Sequence, residues 1–318
     1  MTEESNYESI FKHQSMDVTK IGSTRFCRTC ERVLRWIPVL FIVAMMSWAY
    51  YAYMVPLCFN SIDGTAKRTL YLIIFNILFI MVLWSYYKTI VTCSSNVPDK
   101  FRLCIEDSNV LFRTNGSEAQ RQVLENFSEG LPIINRTLNG SVRFCEKCKL
   151  VKPDRAHHCS VCNDCILKMD HHCPWVNNCV GFSNYKFFIL FLGYSIVLCL
   201  FVTMTCIEYV MDYWQGSFQD TGKFHVLFLF FVAMMFSVSL LSLFGYHCYL
   251  VAHNRTTLET FRAPVFPGGP NKHGFDVGKC NNFKQVFGSN PKTWFAPTYT
   301  SLGDGIDFPT NSLLGSIV

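Results

Sequence analysis

The stretch that decides the fold runs from residue 145 to residue 179 and reads CEKCKLVKPDRAHHCSVCNDCILKMDHHCPWVNNC. It holds seven of the sixteen cysteines of this 318-residue chain, together with four histidines. Cysteine pairs separated by two residues are the local chelates of structural zinc, in which thiolate and imidazole ligands complete a tetrahedron. We predict a metal site rather than a disulfide framework, because the chain is neither small nor led by a recognisable signal peptide.

Eleven side chains in this stretch compete for ligand positions, whereas two closed tetrahedral sites use eight. Neighbouring ligands on an extended backbone point in different directions, so His158 and Cys159 are expected to bind different ions. An interleaved partition satisfies this condition, with Cys145, Cys148, His158 and Cys165 around one zinc and Cys159, Cys162, His172 and Cys179 around the other. Since the segment has few apolar residues, zinc is expected to supply part of its folding energy.

The partition leaves His157, His171 and Cys173 without a metal. Spacing alone leaves two interpretations of Cys173 equally open, a zinc ligand in place of one of the eight or a reactive thiol. Three features favour the thiol. His171 is placed to act as a base or as a charged neighbour that lowers the thiol pKa, and Asp170 is placed to orient that imidazole. Cys173 also lies 14 residues before an apolar segment, where a zinc knuckle for nucleic acid has no reason to be.

Apolar segments flank the cysteine-rich stretch on both sides. Half of the residues are hydrophobic and the mean hydropathy is +0.20, which indicates a membrane protein. Four segments reach the length of roughly 20 residues that a spanning helix needs, at 36–59, 70–92, 187–211 and 224–252. Buried core helices of a soluble protein are the alternative. Four such segments with almost no interior charge make that alternative unattractive.

Charge predicts the orientation of these segments. Of the 28 lysines and arginines, 24 lie in the N-terminal segment, the loop 93–186 and the tail, so the positive-inside rule places all three in the cytosol. Five tripeptides match the glycosylation acceptor pattern, which would need a lumenal location; they begin at Asn115, Asn126, Asn135, Asn139 and Asn254. The charge asymmetry is the stronger signal, and we expect these acceptors to be unused.

The sequence therefore predicts a membrane α-helical protein, with four transmembrane helices and a cytosolic zinc-binding cysteine-rich module between helices 2 and 3. Its expected parts are a cytosolic N-terminus (1–35), helices 1 and 2 (36–92), a cytosolic linker (93–141), the module (142–186), helices 3 and 4 (187–252) and a cytosolic C-terminal segment (253–318). A helix is expected near 118–127 in the linker. Cys27 and Cys30, near the membrane, are candidates for acylation.

The run Asp170-His171-His172-Cys173-Pro174-Trp175, continued to Gly181, resembles the signature of the DHHC-type protein S-acyltransferases, or palmitoyltransferases, in their ankyrin-free subgroup. The likeness covers most of the chain from Arg25 onwards, including the four spans. It implies that Cys173 is the nucleophile, His171 its base and Asp170 the residue that orients the base, with the same eight zinc ligands. One departure is the absence of Asp-Pro-Gly after the second span, where residues 96–99 read NVPD; this puts a turn in doubt and leaves the chemistry intact.

The resemblance extends to other site residues. Trp175 is expected to line the site beside the scissile thioester. Thr256-Thr257-Leu258-Glu259 matches the TTxE motif of the family, whose second threonine lies near the active site, so Thr257 is a further candidate contact of the acyl-CoA. The same four residues fit a helix capping box, and both roles are compatible. Residues 282–288 resemble the C-terminal segment of the family that packs against the membrane helices. Lys152, Arg155 and Lys168 are candidates for cationic contacts to the phosphates of CoA.

The activity that the resemblance implies is a two-step transfer of a palmitoyl group from palmitoyl-CoA through Cys173 to cysteines of proteins. The expected partners are the acyl-CoA, proteins with exposed cysteines and the bilayer, with no nucleic acid. Trp48, Ala49 and Leu198 are expected to set the preferred chain length. The Golgi is the expected location by family habit, with the plasma membrane or endoplasmic reticulum as alternatives.

Two other functions compete with this interpretation. A membrane adaptor with a zinc module would share the spans and ligands but gives no role to Asp170, His171 and Cys173 together. A metal transporter needs ionisable ligands at mid-membrane depth, and the spans offer little beyond His247.

Overall fold

A computed structural model describes residues 30, 33–94, 96–104, 106, 108, 110, 111, 117–215 and 223–311. Within these ranges, four helices are long and apolar enough to cross a membrane: TM1 (Ile37–Ser61), TM2 (Thr65–Val91), TM3 (Tyr185–Asp212) and TM4 (Phe224–Ala252). The predicted fold class is thereby confirmed. Most of the predicted N-terminal segment, with Cys27, and the acceptor at Asn115 lie outside the described residues.

TM1 changes its helical form part-way along. It is α-helical over Ile37–Ala52 and continues as π-helical turns over Tyr53–Ser61. Pro56 lies in the second part, and the wider turns accommodate a ring that has no N–H and would clash with an α-helical backbone. Tyr53 stacks on Phe75 of TM2 at 4.0 Å between ring centroids and its hydroxyl donates to Thr205 of TM3 at 3.1 Å. This tyrosine joins three spans.

TM2 begins at Thr65, five residues before the predicted start at 70. The prediction was wrong here because Lys67 and Arg68 were taken for loop residues, whereas both lie in the first turn of the helix. Lys67 forms an ion pair with Glu208 of TM3 and Arg68 donates to the carbonyl of Ile62 at 2.8 Å. Pairing of this kind makes charges acceptable at the end of a spanning helix.

The cysteine-rich module consists of three short antiparallel hairpins. They pair β1 (Phe144–Cys145) with β2 (Leu150–Val151), β3 (His157–Cys159) with β4 (Asp164–Ile166), and β5 (His171–Cys173) with β6 (Asn178–Val180). Each turn contains one residue in the left-handed region, Lys149, Asn163 or Asn177, with φ of 53°, 56° and 46°. The first strand of each hairpin ends in a cysteine (Cys145, Cys159 or Cys173), which pairs with the residue five positions later in the sequence. The module therefore repeats one hairpin geometry three times.

The remaining elements enclose the module. The linker holds the expected helix, observed at Ser117–Ser128. After TM4 come a short helix (Thr257–Phe261), the hairpin of β7 (Val265–Phe266) and β8 (Gly269–Pro270), a helix (Lys279–Phe287) and a 3-10 turn (Pro291–Thr293). Among the described spans, TM3 packs between TM2 and TM4, and its first turns lie in one apolar cluster with Cys173 and Val286. The C-terminal segment thus packs against the membrane domain next to the predicted nucleophile.

Candidate active site and metal centres

The two predicted sets of four metal ligands each come together in space. In both sets, one donor atom from every residue lies within 4.8 Å of the others. In the second set, His172 Nδ1 lies 3.7, 3.5 and 3.5 Å from the sulfurs of Cys159, Cys162 and Cys179. Zinc at its usual bond lengths would separate tetrahedral donors by about 3.5–3.8 Å, so the donor chemistry and the spacing both fit zinc.

The third hairpin explains why Cys173 belongs to neither cluster. In the first hairpin the left-handed residue Lys149 follows Cys148, and in the second Asn163 follows Cys162, which completes a C-x2-C chelate in each. In the third hairpin the left-handed residue Asn177 follows Val176. Cys173 therefore has no cysteine three residues later to complete a chelate. It occupies the same hairpin position as the metal ligands Cys145 and Cys159.

His171 and Asp170 form a close pair beside Cys173. His171 Nδ1 lies 2.6 Å from Asp170 Oδ2. Burial alone would lower the pKa of His171, but its hydrogen bonds to Asp170 and Cys173 more than offset this effect and raise the pKa to about 9. Burial would raise the pKa of Asp170, and the bonds from His171 and Thr257 lower it below the usual value instead. The pair thus stabilises a proton on the imidazole of His171 and a negative charge on the carboxylate of Asp170.

The TTxE segment holds Asp170 from the opposite side. Thr257 donates to the Asp170 carboxylate from its backbone N–H at 2.8 Å and from its hydroxyl at 2.9 Å. Thr256 and Glu259 form a complete capping box around the same helix start. The predicted capping box is therefore confirmed, and Thr257 donates to the carboxylate of Asp170.

Arg155 has hydrogen-bonding partners inside the protein, which does not favour its predicted contact with CoA phosphates. Its guanidinium is fully buried, with 0% of the side chain exposed, and binds both carboxylate oxygens of Glu259 at 2.7 and 2.8 Å and Asn254 at 3.0 and 2.8 Å. Lys168 is buried in the same cluster, where burial and Arg155 lower its pKa to about 7. Both cations tie the module to the segment after TM4, because a buried charge needs its partners inside the protein.

Lys152 has a different setting. It lines a surface cavity of about 540 Å³ together with His157 and four further arginines and lysines, Arg136, Arg143, Arg262 and Lys272. Arg155 and Glu259 also reach this cavity, but they are paired with each other. The cavity is thus a concave cationic surface between the module, the linker and the segment after TM4.

A second, apolar cavity of about 460 Å³ opens at Cys173 and descends among the four spans. His171 and Trp175 line its mouth with Cys173, and Ala49 and Leu198 line it deeper. Trp48, the third predicted length determinant, contacts Phe228 and His225 instead of lining the cavity. The thiol therefore stands at the open end of a pocket that suits a long alkyl chain.

A model of the DHHC palmitoyltransferase family matches residues 138–263. Palmitoyltransferase ZDHHC2 of Homo sapiens is 53% identical over 284 residues, which cover 89% of this chain and 77% of the relative. Palmitoyltransferase ZDHHC20 of Homo sapiens is 52% identical, with 89% and 79% covered, and palmitoyltransferase ZDHHC15 of Rattus norvegicus is 50% identical, with 90% and 85% covered. The chain belongs to the DHHC palmitoyltransferase family.

This DHHC protein has further site residues that the motif did not reveal. Asn178, opposite Cys173 in the third hairpin, donates from Nδ2 to the carbonyls of Thr89, Ile90 and Thr92 at 3.1, 3.2 and 2.8 Å. These are the unsatisfied carbonyls at the end of TM2. The hairpin that carries the thiol is therefore fastened to a membrane helix.

A second imidazole also adjoins the His171–Asp170 pair of this DHHC protein. His247 of TM4 lies 5.8 Å from His171 between ring centroids, and its Nδ1 lies 3.0 Å from the hydroxyl of Tyr185. Asp170, His171 and His247 bring polar atoms within 4.8 Å of one another. The sequence marks His247 only as an ionisable residue within a span, and its position next to the His171–Asp170 pair is visible only in the folded chain.

Proposed function

We propose that this chain transfers long-chain fatty acyl groups, palmitoyl above all, from acyl-CoA to cysteines of proteins by way of an acyl-Cys173 intermediate. The observation that carries the proposal is the buried Asp170–His171 pair beside a cysteine that is free of both metal clusters and stands at the mouth of an apolar cavity. The names of the curated relatives point to the same activity.

In the first step, the sulfur of Cys173 attacks the thioester carbonyl of the acyl-CoA while His171 holds the thiol proton. The carbon–sulfur bond to CoA breaks, and the CoA thiolate takes a proton from the imidazolium of His171. Asp170 keeps the imidazole in one orientation and stabilises its charged form. The raised pKa of His171 supports this role, because it favours the charged imidazole that Asp170 stabilises.

In the second step, the thiol of a substrate protein attacks the acyl-Cys173 thioester. His171 accepts the proton of the incoming thiol, and the acyl group leaves Cys173 for the substrate. The acyl chain can stay in the cavity during both steps while CoA leaves and the substrate protein binds. The burial energy of the chain, about 0.8 kcal/mol for each CH2 group, is then retained. Trp175, at the mouth of the cavity, would contact the chain next to the thioester.

We assign the phosphates of CoA to the cationic cavity that Lys152 lines. A nucleotide with several phosphates needs cations that water reaches, and this cavity collects them on the module. Lys152 remains the candidate from the sequence, and the exposed Arg262 and Lys272 join it in place of Arg155 and Lys168. This assignment rests on charge and shape.

The two metal clusters would hold zinc as structural ions. Their eight donors are consumed by tetrahedral coordination and leave no open position for a reacting atom. Bound zinc would supply folding energy to a module whose strands are two or three residues long. The thiol chemistry belongs to the protein side chains.

The termini and the module are assigned to the cytosol, as the positive-inside rule predicts. Two acceptor asparagines support this orientation, since Asn135 and Asn254 are buried and Asn254 pairs with Arg155. We retain the division at 142–186 for the module and place the protein in the Golgi by family habit. Cys30, which is half-buried before TM1, stays a candidate for acylation.

Labelling of the purified chain with a clickable palmitoyl-CoA analogue, followed by hydroxylamine, tests the proposed activity. We expect a hydroxylamine-sensitive label on the wild-type protein, loss of the label in Cys173→Ser and zinc near two per chain in both. An unlabelled wild type would favour the adaptor function. A fall of the zinc content by half in Cys173→Ser would identify Cys173 as a ligand and contradict the mechanism.

A further inference from the structure

The C-terminal strap, residues 291–302, runs along the outside of TM3. Near the start of TM3, Lys186 donates from Nζ to the carbonyls of Thr293 and Thr298 at 2.8 and 3.0 Å. Farther along, the hydroxyl of Tyr194 donates to the carbonyl of Phe295 at 2.6 Å. The accepting carbonyls of Thr293 and Phe295 are only two residues apart, so they lie within about 7 Å of each other. The strap therefore lies beside the first three turns of TM3.

The depth of Phe295 follows from a neighbouring lysine. Lys88, at the end of TM2, lies 5.3 Å from the ring centroid of Phe187, so it is level with the first turn of TM3. A lysine at the end of a spanning helix keeps its ammonium in the headgroup region. Tyr194 lies two turns beyond Phe187, and its side chain, like other long side chains in helices, leans back toward the start of the helix. The carbonyl of Phe295 is thus between the levels of Phe187 and Tyr194, in the outer part of the leaflet.

The strap also lies on the lipid-facing side of TM3. Tyr194 is followed along one face of the helix by exposed apolar residues at spacings of three and four, Val197, Leu200, Met204 and Ile207. The carbonyl of Phe295 is bound at the start of this stripe, and 71% of the residue is exposed. Its neighbour Trp294 turns inward, packs on Phe283 at 5.6 Å and donates from Nε1 to the carbonyl of Gly288 at 2.9 Å.

We propose that the strap is an interfacial membrane anchor and that Phe295 inserts into the leaflet on the side of the zinc module, among phospholipids. The exposed stripe of TM3 already faces lipid, and Phe295 continues that surface. Aromatic rings are favoured at this depth, where water would otherwise cover an exposed phenyl group. Trp294 fixes the strap to the protein and Phe295 fixes it to the bilayer.

Photocrosslinking in lipid nanodiscs tests this proposal on the full chain. Phe295 is replaced by p-benzoyl-phenylalanine, and Phe261, which is 81% exposed in the helix after TM4, receives the same replacement as the control. After irradiation, mass spectrometry should detect phospholipid adducts at position 295 at roughly tenfold or more the yield at position 261, the partition expected for one buried phenyl ring. Equal yields, no adduct, or an adduct to a second protein chain would overturn the proposal.

Stability in the same nanodiscs gives a second, independent readout. Phe295→Asp should lower the midpoint of thermal unfolding, because it places a charge against acyl chains, whereas Phe261→Asp should leave it unchanged. In detergent micelles, which adapt to a polar group more readily, the difference between the two variants should shrink. Equal midpoints in nanodiscs would contradict insertion.

Discussion

Replacing Arg155 with Met tests the largest difference between the sequence interpretation and the structure. The variant removes a guanidinium that has no exposed surface and leaves the Glu259 carboxylate, 5% exposed, without its cation. Breaking a buried ion pair from one side costs about 3–5 kcal/mol. Because Glu259 caps the helix that carries Thr257, the loss should also loosen the support of Asp170. We expect lower stability and a lower turnover rate.

Lys152→Met is the matched control, because it removes a cation that lines the solvent-accessible cavity. A charge-assisted bond to a phosphate is worth about 1.5–3 kcal/mol, which is roughly a tenfold to hundredfold rise in KM for palmitoyl-CoA. Its stability should change by less than about 0.5 kcal/mol, as for most surface substitutions. Arg155→Met should therefore lower the stability and leave KM unchanged, whereas Lys152→Met should raise KM and leave the stability unchanged.

The assay follows thermal unfolding through zinc release to a chromogenic chelator, and initial rates as a function of the palmitoyl-CoA concentration. Arg155→Met should release zinc at a lower temperature while its KM stays close to that of the wild type. Adding Glu259→Gln to Arg155→Met should restore part of the stability, because the uncompensated charge is removed. An Arg155→Met protein with unchanged stability and a raised KM would refute the buried-pair interpretation and restore the expected phosphate contact.

Three further variants address the metal centre, the carboxylate and the cavity. Cys145→Ala should lose zinc and destabilise the module, and full activity with zinc near two per chain, measured by atomic emission, would contradict a structural role. Asp170→Asn should retain zinc and lower kcat on the order of 10^3–10^4-fold, because the imidazole loses its charged partner; a tenfold effect would assign the orienting role elsewhere. Ala49→Phe should fill the cavity and shift the preferred substrate of a competition assay from 16 carbons to shorter chains, at about 0.8 kcal/mol for each displaced CH2 group. An unchanged length profile would remove Ala49 from the cavity wall.

The spans and metal sites were predictable because their signals are local. Hydropathy over twenty residues reports a membrane helix, and cysteine spacing reports a chelate. The start of TM2 was missed because Lys67 is compensated by Glu208, which is 141 residues distant in the sequence. No local pattern contains that pairing.

The role of Arg155 was unpredictable for the same reason. A cation in a basic segment suggests a surface contact, whereas its partners Asn254 and Glu259 are 99 and 104 residues away. The contact of His247 with the active-site pair likewise depends on how TM4 packs against TM3. Cys173 is the contrasting case, because its signal is local. The first two hairpins read Cys-x2-Cys followed by Lys or Asn, whereas the third reads Cys-x2-Val followed by Asn177 and so lacks the second cysteine of the chelate.

The membrane domain and the module depend on different sources of stability. A spanning helix satisfies its own backbone hydrogen bonds within the bilayer, with or without zinc. The three hairpins have strands of only two or three residues and depend on their ligands for order. On the proposed function, a cell deprived of zinc would therefore accumulate a protein whose helices are inserted but whose third hairpin, which carries Cys173 at the mouth of the cavity, is not held in place. Metal supply would set the fraction of active enzyme in the membrane without changing the amount of protein, and late zinc delivery could activate molecules already in place.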